Sequence, residues 1–281
     1  MKLSTRNHDR GIAGLNYVYP VISRRSGGVS VGINLNPNNA CNWHCVYCQV
    51  PNLRRGSAPR IDLQLLAMEL QQFLQELLGG SFMKESVPDG FRRLSDIAIS
   101  GNGEPTSSSQ FEEVVEIIER VMDEFSLKGR IRLILITNGS YMRQPHVMAG
   151  IRRIGRCGGE VWIKVDRVRA EDIQRINGVS LKPRQLKGAI LAAAQLCPTW
   201  IQTCMHRWKG RPPAEEEMIA YLAFLKELMA EHIPLEGVLL YGLARPSMQQ
   251  EAEDISPLSE SWMREFARRI RNLGCPVILS L

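Results

Sequence analysis

No apolar run in the 281-residue chain approaches the length of a membrane span, which takes about 20 apolar residues in a row. The opening stretch, MKLSTRNHDRG, carries charges with no apolar segment behind them, so no secretory signal is expected. Cysteine is scarce and uneven: seven in all, none before Cys41 and none between Cys48 and Cys157. An odd, unevenly spaced count does not suggest the disulfide framework of a secreted scaffold, and a reducing, cytoplasmic setting without a membrane is expected. No nucleic-acid-binding domain with a readable motif is appended, and no peptide-recognition extension stands out. What is there is ordinary for a soluble globular protein, 44% hydrophobic and 23% charged, enough for one large core or two modest ones. The net charge is +6, and small arginine groups recur at Arg54-Arg55, at Arg152-Arg153 with Arg156, and at Arg268-Arg269 with Arg271. Solvated helix faces explain such groups, and so would an anionic partner such as RNA.

Three of the seven cysteines fall within eight residues, Cys41-Asn42-Trp43-His44-Cys45-Val46-Tyr47-Cys48, spaced C-x3-C-x2-C. Three soft ligands so close suit a metal better than a hydrophobic core. A fourth nearby thiol would complete a structural zinc or an electron-transfer [4Fe–4S] site, and none is supplied. Zinc completed by His44 fits by ligand type, but His44 adjoins Cys45, so both cannot readily reach the ion that Cys41 and Cys48 hold. Three cysteines can instead hold three irons of a cubane and leave the fourth open to a small molecule bound by an amine and a carboxylate.

Along the chain, residues 1–30 hold no convincing helix and are taken as an N-terminal extension, with a short strand over 17–22 and a turn at Ser26-Gly27-Gly28. Residues 31–281 are taken as one domain. The first firm strand is 29–35, and the long loop after it, running to Arg60, is itself a functional signal. Asp62 caps a helix over 62–78 that Gly79-Gly80 stops; 81–93 reads as a polar insertion. Strands follow at 94–100, 131–137, 160–166, 198–204 and 237–241. Between and after them come helices starting at Ser108 or Ser109 and spanning 145–156, 169–177 with 183–195, 214–231 and 259–272. A last apolar run, 275–281, packs beside the sheet. Six strand-then-helix units argue an α/β fold with a parallel sheet covered by helices. A doubly wound sheet is the generic alternative. The balance tips towards a barrel-like sheet because informative residues follow successive strands, where barrels gather their sites.

Those residues are few. Gly101-Asn102-Gly103-Glu104-Pro105 follows the second strand, where glycines let the backbone face a ligand and Glu104 adds charge suited to an ammonium. Thr137-Asn138-Gly139 ends the third strand, and Asn138 is either a turn former or a pocket residue. Asp166 either accepts from ribose hydroxyls or caps the next helix. Lys164 either enters a lumen or stands on exposed sheet, and Arg245 either binds an anionic substrate or closes a surface loop. Cys157, Cys197, Cys204 and Cys275 lack compact spacing and read as buried thiols, so one cluster is expected.

The cysteine loop, with Tyr47 before its last cysteine, resembles that of the radical S-adenosylmethionine (SAM) enzymes, and GNGEP and TNG resemble that superfamily's GGEP and TNG segments. GNGEPT, KVD and ARP together resemble the subgroup that includes the wyosine-base synthases of transfer RNA, whose second cluster uses upstream cysteines that this chain lacks. The resemblance implies a partial (β/α)6 TIM-like barrel and one [4Fe–4S] cluster on Cys41, Cys45 and Cys48. It also implies SAM bound at Gly103, Glu104, Pro105, Asn138 and Asp166. The activity implied is reductive SAM cleavage and hydrogen abstraction, fed by a flavodoxin- or ferredoxin-type reductant, on a small-molecule, peptide or tRNA substrate. Lys164 and Arg245 are the candidate substrate contacts. The alternative is a non-catalytic iron-sulfur or RNA-binding module.

Overall fold

Alternation of apolar residues along each strand is the property that fixes this architecture. The computed structural model describes residues 2–4, 13–23 and 27–281. Its main sheet has eight strands: β1 Val18–Ser23, β2 Gly28–Ile33, β3 Leu94–Ile99, β4 Arg132–Thr137, β5 Glu160–Lys164, β6 Thr199–Cys204, β7 Gly237–Tyr241 and β8 Val277–Ser280. They lie side by side in chain order. β1 runs antiparallel to β2, and every later pair is parallel. The helices that carry the chain back are α1 Leu63–Gly79, α2 Phe111–Glu124, α3 Pro145–Arg156, α4 Ala170–Asn177, α5 Pro183–Ala194, α6 Glu215–Ala230 and α7 Glu260–Arg271. Each strand from β2 to β7 leads into at least one of them, giving the six expected units.

Odd-numbered positions of β3, β4 and β5 (Ile97, Ile99, Leu133, Leu135, Val161, Ile163) are at most 1% exposed and join the main core under the helices. Their neighbours face the other way, where Ala98, Ile134, Trp162 and Leu239 form a second apolar cluster. Tyr19 of β1 and Ser280 of β8 line one cavity on that inner side, yet no hydrogen bonds join the two edge strands. The sheet is therefore curled into an open partial barrel, and the period-2 pattern sorts its residues between helix-covered wall and lumen.

Some local expectations change. Val18–Ser23, placed in an N-terminal extension, is a full strand of the sheet. It is anchored by the buried carboxylate of Glu69 on α1, which accepts from the backbone N–H of Asn16 (2.7 Å), Tyr17 (2.8 Å) and Val18 (3.2 Å). Of the turn expected at Ser26-Gly27-Gly28, Ser26 lies outside the described residues. The insertion at 81–93 contains a short helix, Phe82–Ser86, and buries Phe82 and Val87 against the core. The helix after β3 begins at Phe111, because a 3-10 turn, Pro105–Ser107, occupies the preceding residues. Asp62 caps α1 as expected, its Oδ1 accepting from Gln64 (3.1 Å) and Leu65 (3.0 Å) N–H.

Candidate active site

The cysteine loop leaves the carboxyl end of β2 and is fixed on three sides. Its base is a two-residue parallel ladder, Ala40–Cys41 against Arg54–Arg55. Its middle lies on the end of α4, with His44 N–H donating to Asn177 carbonyl (3.0 Å) and Val46 N–H to Ile176 carbonyl (2.9 Å). Its far side is strapped by the chain after β7. The Cys48 carbonyl accepts from Met248 N–H (2.9 Å), Ser247 Oγ (3.2 Å) and Gln249 Nε2 (3.1 Å). None of the three cysteines is in a disulfide, and all are half-buried. Burial pushes the Cys41 thiol up to about 12, and burial with the nearby Asp166 pushes Cys45 higher still. Such thiols ionise when a cation replaces the proton, which is the behaviour of a metal-ligand set. Among the described residues no three His, Cys, Asp or Glu side chains converge on a single ion, and cubane ligands need not, since each holds a different iron. His44, the loop's imidazole, gives Nε2 to the Glu251 carboxylate at 3.1 Å.

The GNGEP and TNG turns brace this loop. A Cβ on Gly103 would fall 1.9 Å from the Ala40 carbonyl, and one on Gly101 2.2 Å from Asn34 Oδ1. The glycines are thus required for close packing against the loop as well as for reaching the lumen. Glu104 is 2% exposed. Its Oε1 accepts from Thr106 N–H (3.1 Å), the Thr106 hydroxyl and Thr137 Oγ1 (2.6 Å), and its Oε2 from Asn138 N–H (2.6 Å). Burial raises its pKa above the usual carboxylate range, and these donors oppose the rise. The carboxyl therefore ties two turns together through these hydrogen bonds. Pro105 is buried at the start of the 3-10 turn. Asn138 Nδ2 donates to Asn42 Oδ1 (2.8 Å), and Trp43 Nε1 donates to Ser140 Oγ (3.1 Å), so the turn after β4 holds the loop between its first two cysteines.

The end of β5 supplies a buried polar knot. Lys164 enters the lumen, as one of its two readings had it: Nζ donates to the Tyr241 hydroxyl and lies 3.1 Å from Asp166 Oδ1. It also stands 4.9 Å from the Tyr47 ring centroid and 4.8 Å from that of Tyr241. Asp166 Oδ1 also accepts from Cys204 N–H (2.8 Å), while Oδ2 accepts from the Tyr47 hydroxyl and Asn177 Nδ2 (2.8 Å). Burial works against the Asp166 charge, but Lys164 and these donors outweigh it and hold the carboxyl below its ordinary value. Burial likewise disfavours the Lys164 ammonium, and Asp166 overrides it upwards. With four donors and 1% exposure, Asp166 presents no open oxygen to a ribose. It orders the cysteine loop through Tyr47 and through Asn177, whose amide also donates to Cys45 Sγ (3.3 Å).

Gly101, Gly103, Tyr47, Cys48, Lys164 and Arg245 line one cavity of about 340 Å³, within the roughly 300–1,000 Å³ of small-molecule sites. Arg245, on the chain after β7, is among the residues that line it. The donor set and a cavity meeting the loop at Cys48 fit an iron-sulfur cluster with a small molecule beside it. Cys157, Cys197, Cys204 and Cys275 are each buried, and Cys204 lies on the lumen wall. Asn177, Ser247 and Gln249 went unremarked in the sequence. Asn177 looks like an ordinary residue before a helix-ending glycine, and the other two belong to a polar run with no spacing to mark them.

No model of a protein family matches the chain. It is 24% identical over 208 residues to the UPF0026 protein slr1464 of Synechocystis sp., covering 68% of each. Among solved structures, a radical SAM methyltransferase from Sphaerobacter thermophilus superposes with a TM-score of 0.60 at 13% identity, over 96% of this chain and 70% of that one. Streptococcus suis SuiB, bound to its precursor peptide SuiA, superposes at 0.59 and 12% identity, over 90% of this chain. This chain spans 48% of the SuiB chain, about half its length. The fold is that of the radical SAM enzymes.

Proposed function

We propose that this chain, built on the radical SAM fold, is a radical SAM enzyme. Cys41, Cys45 and Cys48 would hold one [4Fe–4S] cluster, and SAM would lie in the lumen against Gly101 and Gly103. When bound and reduced, the pair supplies reductive cleavage of SAM and the radical that abstracts a substrate hydrogen. The observation that carries the reading is a three-thiol loop at the carboxyl end of the partial barrel, tied to both the GNGEP and TNG turns. The protein's own task is to fix that loop and to enclose the lumen. Glu104 and Asn138 act through the turns they join, Asp166 acts through Tyr47 and Asn177, and Lys164 forms lumen wall in ion pairing with Asp166. Arg245, which lines the same cavity, would meet an anionic group on the substrate. An external one-electron carrier of flavodoxin or ferredoxin type would reduce the cluster, and a reducing cytoplasm would preserve it.

The test is anaerobic. Reconstituted protein given dithionite and SAM should release methionine and 5′-deoxyadenosine, and Cys45→Ala should release neither above background. Equal release from both proteins, or stoichiometric zinc on the loop with no SAM binding after reconstitution, would overturn the assignment.

A further inference from the structure

Several cations on the outer helices are neutralised: Arg153 lies against Glu119 (3.0 Å) and Glu116 (3.5 Å), Arg269 against Glu215 (2.6 Å), and Lys187 against Glu227 (2.6 Å) and Glu231 (2.7 Å). A set of cations near the carboxyl-end rim has no such partner. Three stretches that supply rim loops, 40–61, 126–159 and 173–214, contain no aspartate or glutamate at all. Arg54, Arg143, Lys182, Arg184 and Arg211 on those loops are exposed, and none has an acidic partner among the described residues.

Two of them share a groove of about 360 Å³ lined by Ser140, Tyr141, Arg143, Arg184 and Gln185 among others. The Arg143 guanidinium lies across α5 at Gly188, where an added Cβ would stand 2.6 Å from Nη2. Arg184 is one helical turn before Gly188 on the same face. Two guanidinium groups thus face one concavity with no carboxylate between them, an arrangement that an anion would relieve. The groove adjoins the cysteine loop, because Ser140 is the acceptor for Trp43.

We propose that this groove and the rim around it bind the phosphate backbone of a nucleic acid, which carries the group acted on in the lumen. The role of substrate carrier rests on the radical SAM reading; the binding itself does not. Planar guanidinium forks match phosphate oxygens in pairs. Cations spread over several loops suit a polymer of phosphates better than one small anion, and a concave groove admits a strand more readily than the convex acidic face of a carrier protein. A base-modifying enzyme holds the backbone outside and takes a single base into its pocket, which matches an exposed cationic rim around a small lumen.

The experiment measures binding of fluorescein-labelled 20-nucleotide RNA and DNA single strands by anisotropy between 50 and 300 mM KCl. The proteins are wild type, Arg143→Ala/Arg184→Ala, and an outer-face control, Arg264→Ala/Arg268→Ala. Wild type should bind at least one strand type, with affinity falling as salt rises. The groove variant should bind at least tenfold more weakly at low salt, with the slope of log affinity against log salt shallower by about 1.4, roughly 0.7 for each lost contact to a single strand. The control should stay within twofold. No strand binding by wild type at 50 mM KCl, or equal binding by wild type and groove variant, overturns the proposal. So does full displacement by millimolar inorganic phosphate, which marks a small-anion site, or groove-dependent binding of an acidic flavodoxin but of no strand. SAM binding is followed in parallel on the reconstituted proteins. Its loss from wild type, with strand binding intact, would strike the enzyme reading and leave the groove standing.

Discussion

Asn177 shows what single residues contribute here. Its amide spans Cys45 Sγ and Asp166 Oδ2, and a donor on a cluster thiolate stabilises the more negative, reduced state. Asn177→Ala should therefore lower the midpoint potential of the reconstituted cluster while iron content stays normal. An EPR-monitored redox titration reads this directly, and an unchanged potential would show that the bond is lost on cluster binding. Gly103 makes a different demand. Its missing Cβ would meet a backbone carbonyl at 1.9 Å, and backbone cannot swing aside. Gly103→Ala should cost about 1–3 kcal/mol, seen as a lower melting temperature, whereas Gly129→Ala, in open space but at φ +72, should show only its backbone strain, with iron loading intact. The glycines and cysteines were legible in the sequence because their chemistry is special wherever they sit. Asn177 was not, since an asparagine before glycine says helix end and nothing about a thiol over a hundred positions away.

Elements were legible to the extent that one surface decides them. The strands with one helix-covered face and the helices with long apolar stripes stand where the periodicity puts them. β1 was legible as a short strand but not as part of the sheet, and the short helix Phe82–Ser86 was not legible, because their partners are remote: Glu69 on α1 anchors the first, and Phe73 meets Phe82 with ring centroids 5.2 Å apart to hold the second. The site between elements was legible in location but not in wiring. Glu104 reads as a ligand-facing acid and Asp166 as either a ribose contact or a helix cap, yet each is enclosed by donors from neighbouring turns, a matter of three-dimensional closure that no local pattern encodes. The Lys164–Asp166 pair carries its own prediction. Asp166→Asn leaves the buried Lys164 ammonium without its counter-ion, and breaking such a pair costs about 3–5 kcal/mol. The folded Asp166 titrates below its ordinary 3.8. Its contribution is therefore complete above that pH and lost as pH falls through the lower, folded value. Urea titrations should show the full difference between wild type and variant at pH 7, narrowing below pH 3.8. A difference that grows on acidification would contradict the assignment.

For the whole molecule, the open sheet and the strap after β7 act together. No helix among the described residues is long and apolar enough to cross a membrane. In the basic groups at Arg152–Arg156 and Arg268–Arg271, Arg153, Arg268 and Arg269 pair with glutamates while Arg152 and Arg156 are exposed on their helix, so the solvated-face reading holds there. Arg55 instead donates to the Asn42 and Gly178 carbonyls and so fastens the cysteine loop to α4. Edge strands β1 and β8 leave the lumen unclosed, and the strap after β7 both carries Arg245 on the cavity lining and grips the loop at Cys48. Gln249→Ala removes donors to two loop carbonyls, Cys48 (3.1 Å) and Val50 (2.8 Å). It should speed loss of cluster absorbance under chelator several-fold without changing the fold's circular dichroism.

The central claim is that three thiols leave one iron open to SAM at the lumen. The direct measurement is the low-temperature EPR spectrum of the anaerobically reconstituted, dithionite-reduced protein, taken with and without SAM. A [4Fe–4S]⁺ signal is expected whose g-values shift on adding SAM and which is lost with Cys41→Ala. A reduced-cluster signal identical with and without saturating SAM would contradict it.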